Sequence, residues 1–196
     1  FFKANSQKKM IKNIFDQYVP PAHIDKMLAD PDSVNLDGER KVMTVLFSDI
    51  RSFTNISESL SASALKNLLN KYFNPITKSI FDHKGTIDKY VGDMVMAFWG
   101  APLDDPQHAE NALNAALDMQ VITERLRGEF KILGLPEIHV GIGLNTGSMS
   151  VGDMGSEYRR SYTVLGDAVN LGARLESLTK FYGVECLVSE NTKEHC

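Results

Sequence analysis

Residues 42 to 47, Val-Met-Thr-Val-Leu-Phe, form a run of β-branched, aliphatic and aromatic side chains that lacks the polar alternation of a surface strand. A continuous run of this length is typical of a strand that is covered on both faces. We therefore predict that residues 42 to 47 lie in the centre of a sheet. The rest of the chain must then supply neighbouring strands and covering helices.

The next segments predict two long helices and a hairpin. Apolar residues recur at helical spacing from Leu60 to Ile80, with Ser57 or Ser61 available as the N-cap. Thr86 to Val91 and Met94 to Trp99 flank Gly92 and Asp93, which predicts a tight hairpin with a carboxylate at its tip.

A second helix is predicted from Asp105 to about Lys131. Its apolar face is expected to carry Ala109, Ala112, Leu113, Ala116, Leu117 and Val121.

The C-terminal third predicts further short strands. Residues 138 to 144 and 149 to 154 are expected to pair around Asn145-Thr146-Gly147, with Tyr162 to Leu165 as another strand. Residues 168 to 182 predict a helix, and 185 to 188 a last strand. Because hairpins interrupt the alternation of strands and helices, we predict an α+β fold with a mixed or antiparallel sheet.

Composition narrows the range of partners and compartments. The chain has 196 residues, 43% of them hydrophobic, which suffices for one compact domain. Its net charge of −4 provides no basic field for non-specific nucleic-acid binding. Only two cysteines are present, Cys186 and Cys196, which favours a reducing, cytoplasmic location. No apolar run approaches the roughly 20 residues that cross a bilayer, so no membrane contact is expected of this piece.

Residues 1–39 are predicted to be a helical linker or signalling segment, followed by a compact domain over residues 40–196. The apolar stripe between residues 7 and 29 is interrupted by Pro20-Pro21, which indicates two helices. Two interpretations stay open: the first helix packs on its own domain, or it pairs with its copy in a second chain. Since the sequence starts at Phe1, an upstream membrane or sensory region is also expected.

Two aspartates stand where chemistry is often found. Asp49 ends the buried strand pattern, and Asp93 lies at the hairpin tip. If neighbouring strands bring the two carboxylates together, a divalent cation would keep both ionised, and oxygen ligands suit Mg²⁺ or Mn²⁺. Taken singly, each aspartate has a simpler interpretation, as a helix cap or as a turn residue.

Three segments together resemble the signatures of class III adenylate and guanylate cyclases. They are Val45 to Thr54 (Val-Leu-Phe-Ser-Asp-Ile-Arg-Ser-Phe-Thr), Lys89 to Asp93 (Lys-Tyr-Val-Gly-Asp) and Gly166 to Glu176 (Gly-Asp-Ala-Val-Asn-Leu-Gly-Ala-Arg-Leu-Glu). Residues 140 to 155 also fit the family's pattern, so the resemblance extends over roughly residues 40 to 196. It implies a ferredoxin-like catalytic fold and a two-metal mechanism.

The resemblance also implies roles for particular residues. Asp49 and Asp93, assisted by the Ile50 carbonyl, would bind two Mg²⁺ or Mn²⁺ ions. Backbone N–H groups of Phe53 and Thr54 would hold phosphate oxygens.

On the third signature, the resemblance implies that Asn170 orients the ribose and Arg174 stabilises charge on the α-phosphate. Their spacing places both on one face of a helix. Without the signature, Arg174 would be assigned to an ion pair with Glu176 or another surface acid. By its position, the resemblance also implies that Arg159 touches the polyphosphate. The alternative is that the basic pair Arg159 and Arg160 is solvated, as is more common near a turn.

Base choice in this family depends on the positions of Lys89 and Thr163. Lys89 can donate to adenine N1 and Thr163 can accept from the exocyclic amine, whereas guanine presents an N1–H donor and an O6 acceptor. Many relatives carry Asp in place of Thr163, and a threonine hydroxyl can also donate. The pair therefore favours adenine, with the polarity of Thr163 left open.

The resulting hypothesis is an adenylate cyclase that converts ATP to 3′,5′-cyclic AMP and pyrophosphate. The resemblance implies a homodimer in which one chain supplies the metal aspartates and the other supplies Lys89, Thr163, Asn170 and Arg174. Two alternatives are a guanylate cyclase of the same family and a catalytically silent dimerisation or nucleotide-sensing module.

Overall fold

A computed structural model describes residues 1–196 and contains seven α-helices and six β-strands. The helices are α1 (Phe2–Phe15), α2 (Pro21–Ala29), α3 (Phe53–Ser59), α4 (Ala62–Asp82), α5 (His108–Ile132), α6 (Asp167–Tyr182) and α7 (Glu190–Glu194). The strands are β1 (Glu39–Ile50), β2 (Thr86–Val91), β3 (Met94–Trp99), β4 (Val140–Gly155), β5 (Arg160–Leu165) and β6 (Cys186–Val188). A short 3-10 helix, Pro31–Ser33, joins α2 to β1.

All six strands form one sheet, and β1 is central as predicted. The order is β2-β3-β1-β4-β5, with antiparallel neighbours throughout, and β6 adds to β4 in parallel. The hairpin of β2 and β3 turns at Gly92 and Asp93, and Ser61 caps α4 by accepting from the Ala64 N–H. The predicted α+β class with a mixed sheet is therefore confirmed.

The two faces of the sheet bury separate apolar cores. On one face α4 and α5 pack over Leu46, Ala97 and Leu144. On the other face, Met43, Val45 and Phe98 lie in a second cluster together with residues of the N-terminal helices. From Met43 to Ile50, β1 thus contributes apolar side chains to both cores, as expected of a strand covered on both faces, whereas Val42 is 48% exposed.

The N-terminal helices contribute directly to this second core. Ile11, Phe15 and Met27 are buried against the sheet, and the Tyr18 carbonyl accepts a 2.7 Å hydrogen bond from the Ile87 N–H of β2. The connection between α1 and α2 is therefore fastened to the edge of the sheet. None of the helices is both long and apolar enough to span a bilayer.

The predicted strand pair around Asn145-Thr146-Gly147 is wrong, because β4 runs without interruption from Val140 to Gly155. Its glycines serve packing instead of turning. A Cβ atom at Gly143 would lie 2.3 Å from the Glu176 backbone nitrogen, and one at Gly141 would lie 2.4 Å from Thr179 Oγ1. Helix α6 can therefore rest directly on the β4 backbone.

The apolar face predicted for α5 is correct in part. Ala109, Ala112 and Ala116 are buried, whereas Leu117 and Val121 are 50% and 65% exposed. The helix begins at His108, not Asp105. Its buried face continues through Ala115, Met119, Ile122, Leu126 and Phe130.

We expect Gly143→Ala to lower the free energy of unfolding by about 1–3 kcal/mol, because the added methyl group would collide with backbone that cannot rotate away. Gly128→Ala is the matched control. Nothing lies within 4 Å of a Cβ atom at Gly128 inside α5, so that change should be neutral or slightly stabilising. Urea unfolding of both variants measures the difference. Equal stabilities would show that α6 does not approach β4 this closely.

Candidate active site

The two predicted metal-binding aspartates meet at one end of the sheet. Asp49 is the penultimate residue of β1, and Asp93 lies in the β2–β3 turn beside it. The Ile50 backbone N–H donates a 2.6 Å hydrogen bond to Asp93 Oδ2. This bond fixes the Asp93 carboxylate next to the residue that follows Asp49.

Three acidic side chains, Asp49, Asp93 and Glu176, lie close together at this end of the sheet. Burial raises the pKa of Asp93, and the Asp49 charge raises it further, while the hydrogen bond from Ile50 acts in the opposite direction. Burial also raises the pKa of Glu176 to about 8, assisted by a hydrogen bond with Asp49 and by the charges of Asp49 and Asp93. Burial and like charges therefore favour keeping a proton among these carboxylates unless a cation offsets the charge.

The donor set at this end fits Mg²⁺ or Mn²⁺ when nucleotide is present. No group of three or more His, Cys, Asp or Glu side chains is arranged to enclose a metal ion. Two aspartates and the Ile50 carbonyl could supply only part of a coordination shell. That is the usual arrangement for Mg²⁺, which takes its remaining ligands from water and substrate phosphates.

A cavity of about 260 Å³ lies directly beside Asp49. It is lined by Asp49, Ile50, Arg51, Ser52, Glu176, Ser177, Thr179 and Lys180. Helix α3 starts at its edge with Phe53 and Thr54, after Ser52 in the left-handed conformation (φ 55°). The first N–H groups of α3 have no partners inside the helix, as the predicted phosphate contact requires.

The two predicted base-reading residues come from strands at opposite ends of the sheet order. Lys89 lies on β2 and Thr163 on β5, and the sheet curves so that Thr163 Oγ1 donates a 2.6 Å hydrogen bond to Asp88 Oδ2. Lys89 Nζ lies 3.7 Å from the other oxygen of the same carboxylate. The structure therefore brings Lys89 and Thr163 to one place, joined by Asp88.

The remaining predicted residues are exposed. Asn170 and Arg174 lie on α6, and Arg174 forms no ion pair, so the alternative pairing with Glu176 is not observed. Arg159 lies in the turn before β5, where its carbonyl accepts from the Ser156 N–H. It forms no hydrogen bond or ion pair with the other predicted site residues, and its role stays a prediction.

Comparison with known protein families gives a match over most of the chain. Residues 37–195 match the family described as "Adenylate and Guanylate cyclase catalytic domain". The chain belongs to this cyclase family. It is 35% identical over 182 residues to Adenylate cyclase 1 of Rhizobium meliloti, which is 93% of this chain and 27% of that protein. It is 36% identical over 194 residues to the adenylate cyclase of Anabaena cylindrica, covering 95% of this chain and 37% of that protein.

Solved structures of cyclases share the fold. The adenylyl cyclase CyaB from P. aeruginosa matches with a TM-score of 0.76 and 39% identity, over 82% of each chain. The guanylyl cyclase Cya2 matches with a TM-score of 0.75 and 37% identity, over 81% of this chain and 79% of that one. Because adenylyl and guanylyl cyclases match about equally well, the matches do not indicate which base this cyclase domain selects.

The structure also shows two acids of this cyclase domain that the sequence did not single out for the site. The sequence indicates Glu176 only as a partner for Arg174, yet it lines the same cavity as Asp49 and hydrogen-bonds with it. Its position follows from the contact of α6 with Gly143, which a glycine-rich strand in front of a helix could have indicated. Asp88 is absent from the predicted site, and in the sequence only its position next to Lys89 indicates it.

Proposed function

We propose that this domain converts ATP to 3′,5′-cyclic AMP and pyrophosphate, in active sites shared by two copies of the chain. The observation that carries the proposal is the contact of Asp93 with the Ile50 N–H, which places two carboxylates at one end of the sheet beside an open cavity. The matching cyclase family gives this arrangement its chemistry.

Each residue then has a role in one displacement. Asp49, Asp93 and the Ile50 carbonyl would hold Mg²⁺ or Mn²⁺, which supplies the positive charge that acidifies the ribose 3′-hydroxyl and neutralises the triphosphate. The 3′ oxygen bonds to the α-phosphorus, its proton is released to solvent, and the bond to the leaving pyrophosphate breaks. The N–H groups of Phe53 and Thr54 receive phosphate oxygens.

The other half of the reaction belongs to α6. Arg174 donates to the α-phosphate oxygens as charge develops there, and Asn170 holds the ribose so that its 3′ oxygen points at phosphorus. Arg174 suits this role because it is exposed and free of carboxylate partners within its own chain. A fixed, always charged guanidinium is also well matched to phosphate geometry.

A second copy of the chain is supported by the surface around these residues. The outer side of α6 and the turn after it expose apolar side chains: Leu171, Leu178, Phe181, Tyr182 and Val184. A monomer rarely exposes so many neighbouring apolar groups, and such patches mark interfaces. Docking this surface on a partner would bring Asn170 and Arg174 to the partner's aspartates.

Lys89 and Thr163 support a preference for ATP. A lysine ammonium can donate to adenine N1 but would face the N1–H donor of guanine. The best-supported alternative is a guanylate cyclase, because guanylyl cyclases are among the matching structures.

The proposal is tested by incubating the purified protein with Mn²⁺ and either ATP or GTP, and separating the products by chromatography. Cyclic AMP should form with a kcat/KM well above that for cyclic GMP. A preference for GTP would overturn the choice of base, and the absence of both cyclic products would overturn the proposed reaction. A sample with Mn²⁺ removed by chelation is the matched control.

A further inference from the structure

Asp88 is the most deeply buried acid near Lys89 and Thr163, the predicted base-reading residues. It occupies an irregular position in β2, where the register with β3 shifts between Ile87 and Lys89. Its side chain is 0% exposed. A carboxylate is costly to bury, so its contacts must compensate for lost water.

Those contacts hydrogen-bond only one of the two carboxylate oxygens, because the buried Oδ1 has no hydrogen-bond partner. Thr163 Oγ1 donates to Oδ2 at 2.6 Å, and the Lys89 ammonium lies 3.7 Å from Oδ1. Burial raises the pKa of Asp88, while Thr163, Lys89 and the Val164 N–H act against that rise and favour the charged form. Asp88 is therefore an acceptor placed between the two side chains that would read the base.

The consequence for Thr163 follows from counting hydrogens. A threonine hydroxyl has one hydrogen and two lone pairs, and an ionised carboxylate can only accept. Because the hydroxyl hydrogen is directed at Asp88, Thr163 can offer only lone pairs to a nucleotide. A lone pair attracts the exocyclic amine of adenine and repels the O6 oxygen of guanine.

We propose that Asp88 is a positioning residue for base selection, which holds Thr163 as an acceptor and keeps the Lys89 ammonium beside it. The proposal deepens the proposed function and rests on it. Asp88 touches no substrate in this role. It makes the Thr163 hydroxyl a hydrogen-bond acceptor toward the base, and it keeps the Lys89 ammonium next to Thr163.

The decisive variant is Asp88→Asn. If the new amide turns its NH₂ group to Thr163, the hydroxyl hydrogen is released and can donate to guanine O6. If it turns its oxygen to Thr163, the NH₂ group opposes the Lys89 ammonium. In either orientation we expect the ratio of kcat/KM for ATP over GTP to fall roughly tenfold or more, mainly through a higher KM for ATP, because base contacts exist before the reaction starts.

Asp153→Asn is the matched control. Asp153 and Asp88 line the same cavity of about 220 Å³, together with residues of α1 and β5, and Asp153 forms no hydrogen bond with Lys89 or Thr163. The control makes the same change of acid to amide and should leave the ratio unchanged. Thermal unfolding of each variant shows whether it is folded.

A double-mutant cycle with Thr163→Val separates positioning from general support of the fold. If Asp88 acts through Thr163, the double variant should lower the ratio little more than Thr163→Val alone. Effects that multiply, or an Asp88→Asn variant in which ATP and GTP turnover fall equally, would overturn the proposal. A wild-type preference for GTP would contradict the proposed function, yet the response of the ratio to Asp88→Asn would still decide this inference. If no turnover is measurable, equilibrium dissociation constants for ATP and GTP replace kcat/KM in the same cycle.

Discussion

Replacing Asp93 with asparagine is expected to lower cyclic AMP formation by at least about a hundredfold at saturating ATP. The amide keeps an oxygen that can accept from the Ile50 N–H, so the turn between β2 and β3 should retain its shape. What is lost is one of two negative charges that would bind the metal ions. Asp49→Asn should have an effect of the same order, because Asp49 is the other half of that pair.

The measurement is initial velocity over a Mn²⁺ and Mg²⁺ titration, with thermal unfolding recorded in parallel. Wild-type protein should gain thermal stability when ATP and metal are added together, and Asp93→Asn should gain much less. Asp82→Asn is the control, since the Asp82 side chain pairs with Lys78 on the exposed end of α4 and forms no hydrogen bond with either aspartate. An Asp93→Asn variant with near wild-type velocity would show that Asp93 is a turn residue and not a metal ligand.

The central strand and its neighbours could be predicted because buried strands require runs of apolar residues, which are visible in the sequence. Met43, Val45 and Phe47 lie in one apolar core and Leu46 lies in the other, so apolar residues were needed on both faces of this strand. The β2–β3 hairpin was equally readable, since Gly92 with a positive φ stands between two apolar runs. These features depend on local residues alone.

The continuity of β4 through Asn145-Thr146-Gly147 could not be predicted, because the polar residues of this segment find partners far along the chain. Asn145 Nδ2 donates to the Ala168 carbonyl at 2.7 Å, and Thr146 Oγ1 pairs with Thr44 Oγ1 at 2.7 Å and Thr192 Oγ1 at 2.9 Å. Asn145-Thr146-Gly147 has the composition of a turn. Only these contacts with β1, α6 and α7 make it the buried middle of a strand.

The site residues also fall into two groups: those that the sequence identifies and those whose place depends on contacts with distant parts of the chain. Asp49 and Asp93 were assigned as metal ligands through the family signatures, and the fold brings them together. The places of Glu176 and Asp88 depend on how closely α6 approaches β4 and on an irregularity in β2. Close helix–strand packing and a local strand irregularity leave no periodic pattern in a sequence, so neither acid can be identified from the sequence alone.

Shared active sites predict a result that no single-chain site can give. An Asp93→Ala variant lacks a metal ligand and an Arg174→Ala variant lacks the cation for the α-phosphate, so each should be nearly inactive alone. In a mixed dimer, one site collects both defects and the other receives the intact Asp93 of one chain and the intact Arg174 of its partner. With equal amounts and random pairing, about half of the dimers are mixed and about a quarter of all sites are intact.

We therefore expect the mixture to recover up to about a quarter of wild-type activity, from two parents that show almost none. The two variants are purified separately, combined, and assayed over a range of protein concentrations, because pairing must precede turnover. A mixture of Asp93→Ala with Asp49→Ala is the matched control: both changes fall in the same half-site, so no pairing can restore it. Recovery only in the first mixture would place Asp93 and Arg174 on different chains of one site. If neither mixture recovers activity while sedimentation shows that mixed dimers form, Asn170 and Arg174 serve the aspartates of their own chain, and the exposed face of α6 has another role.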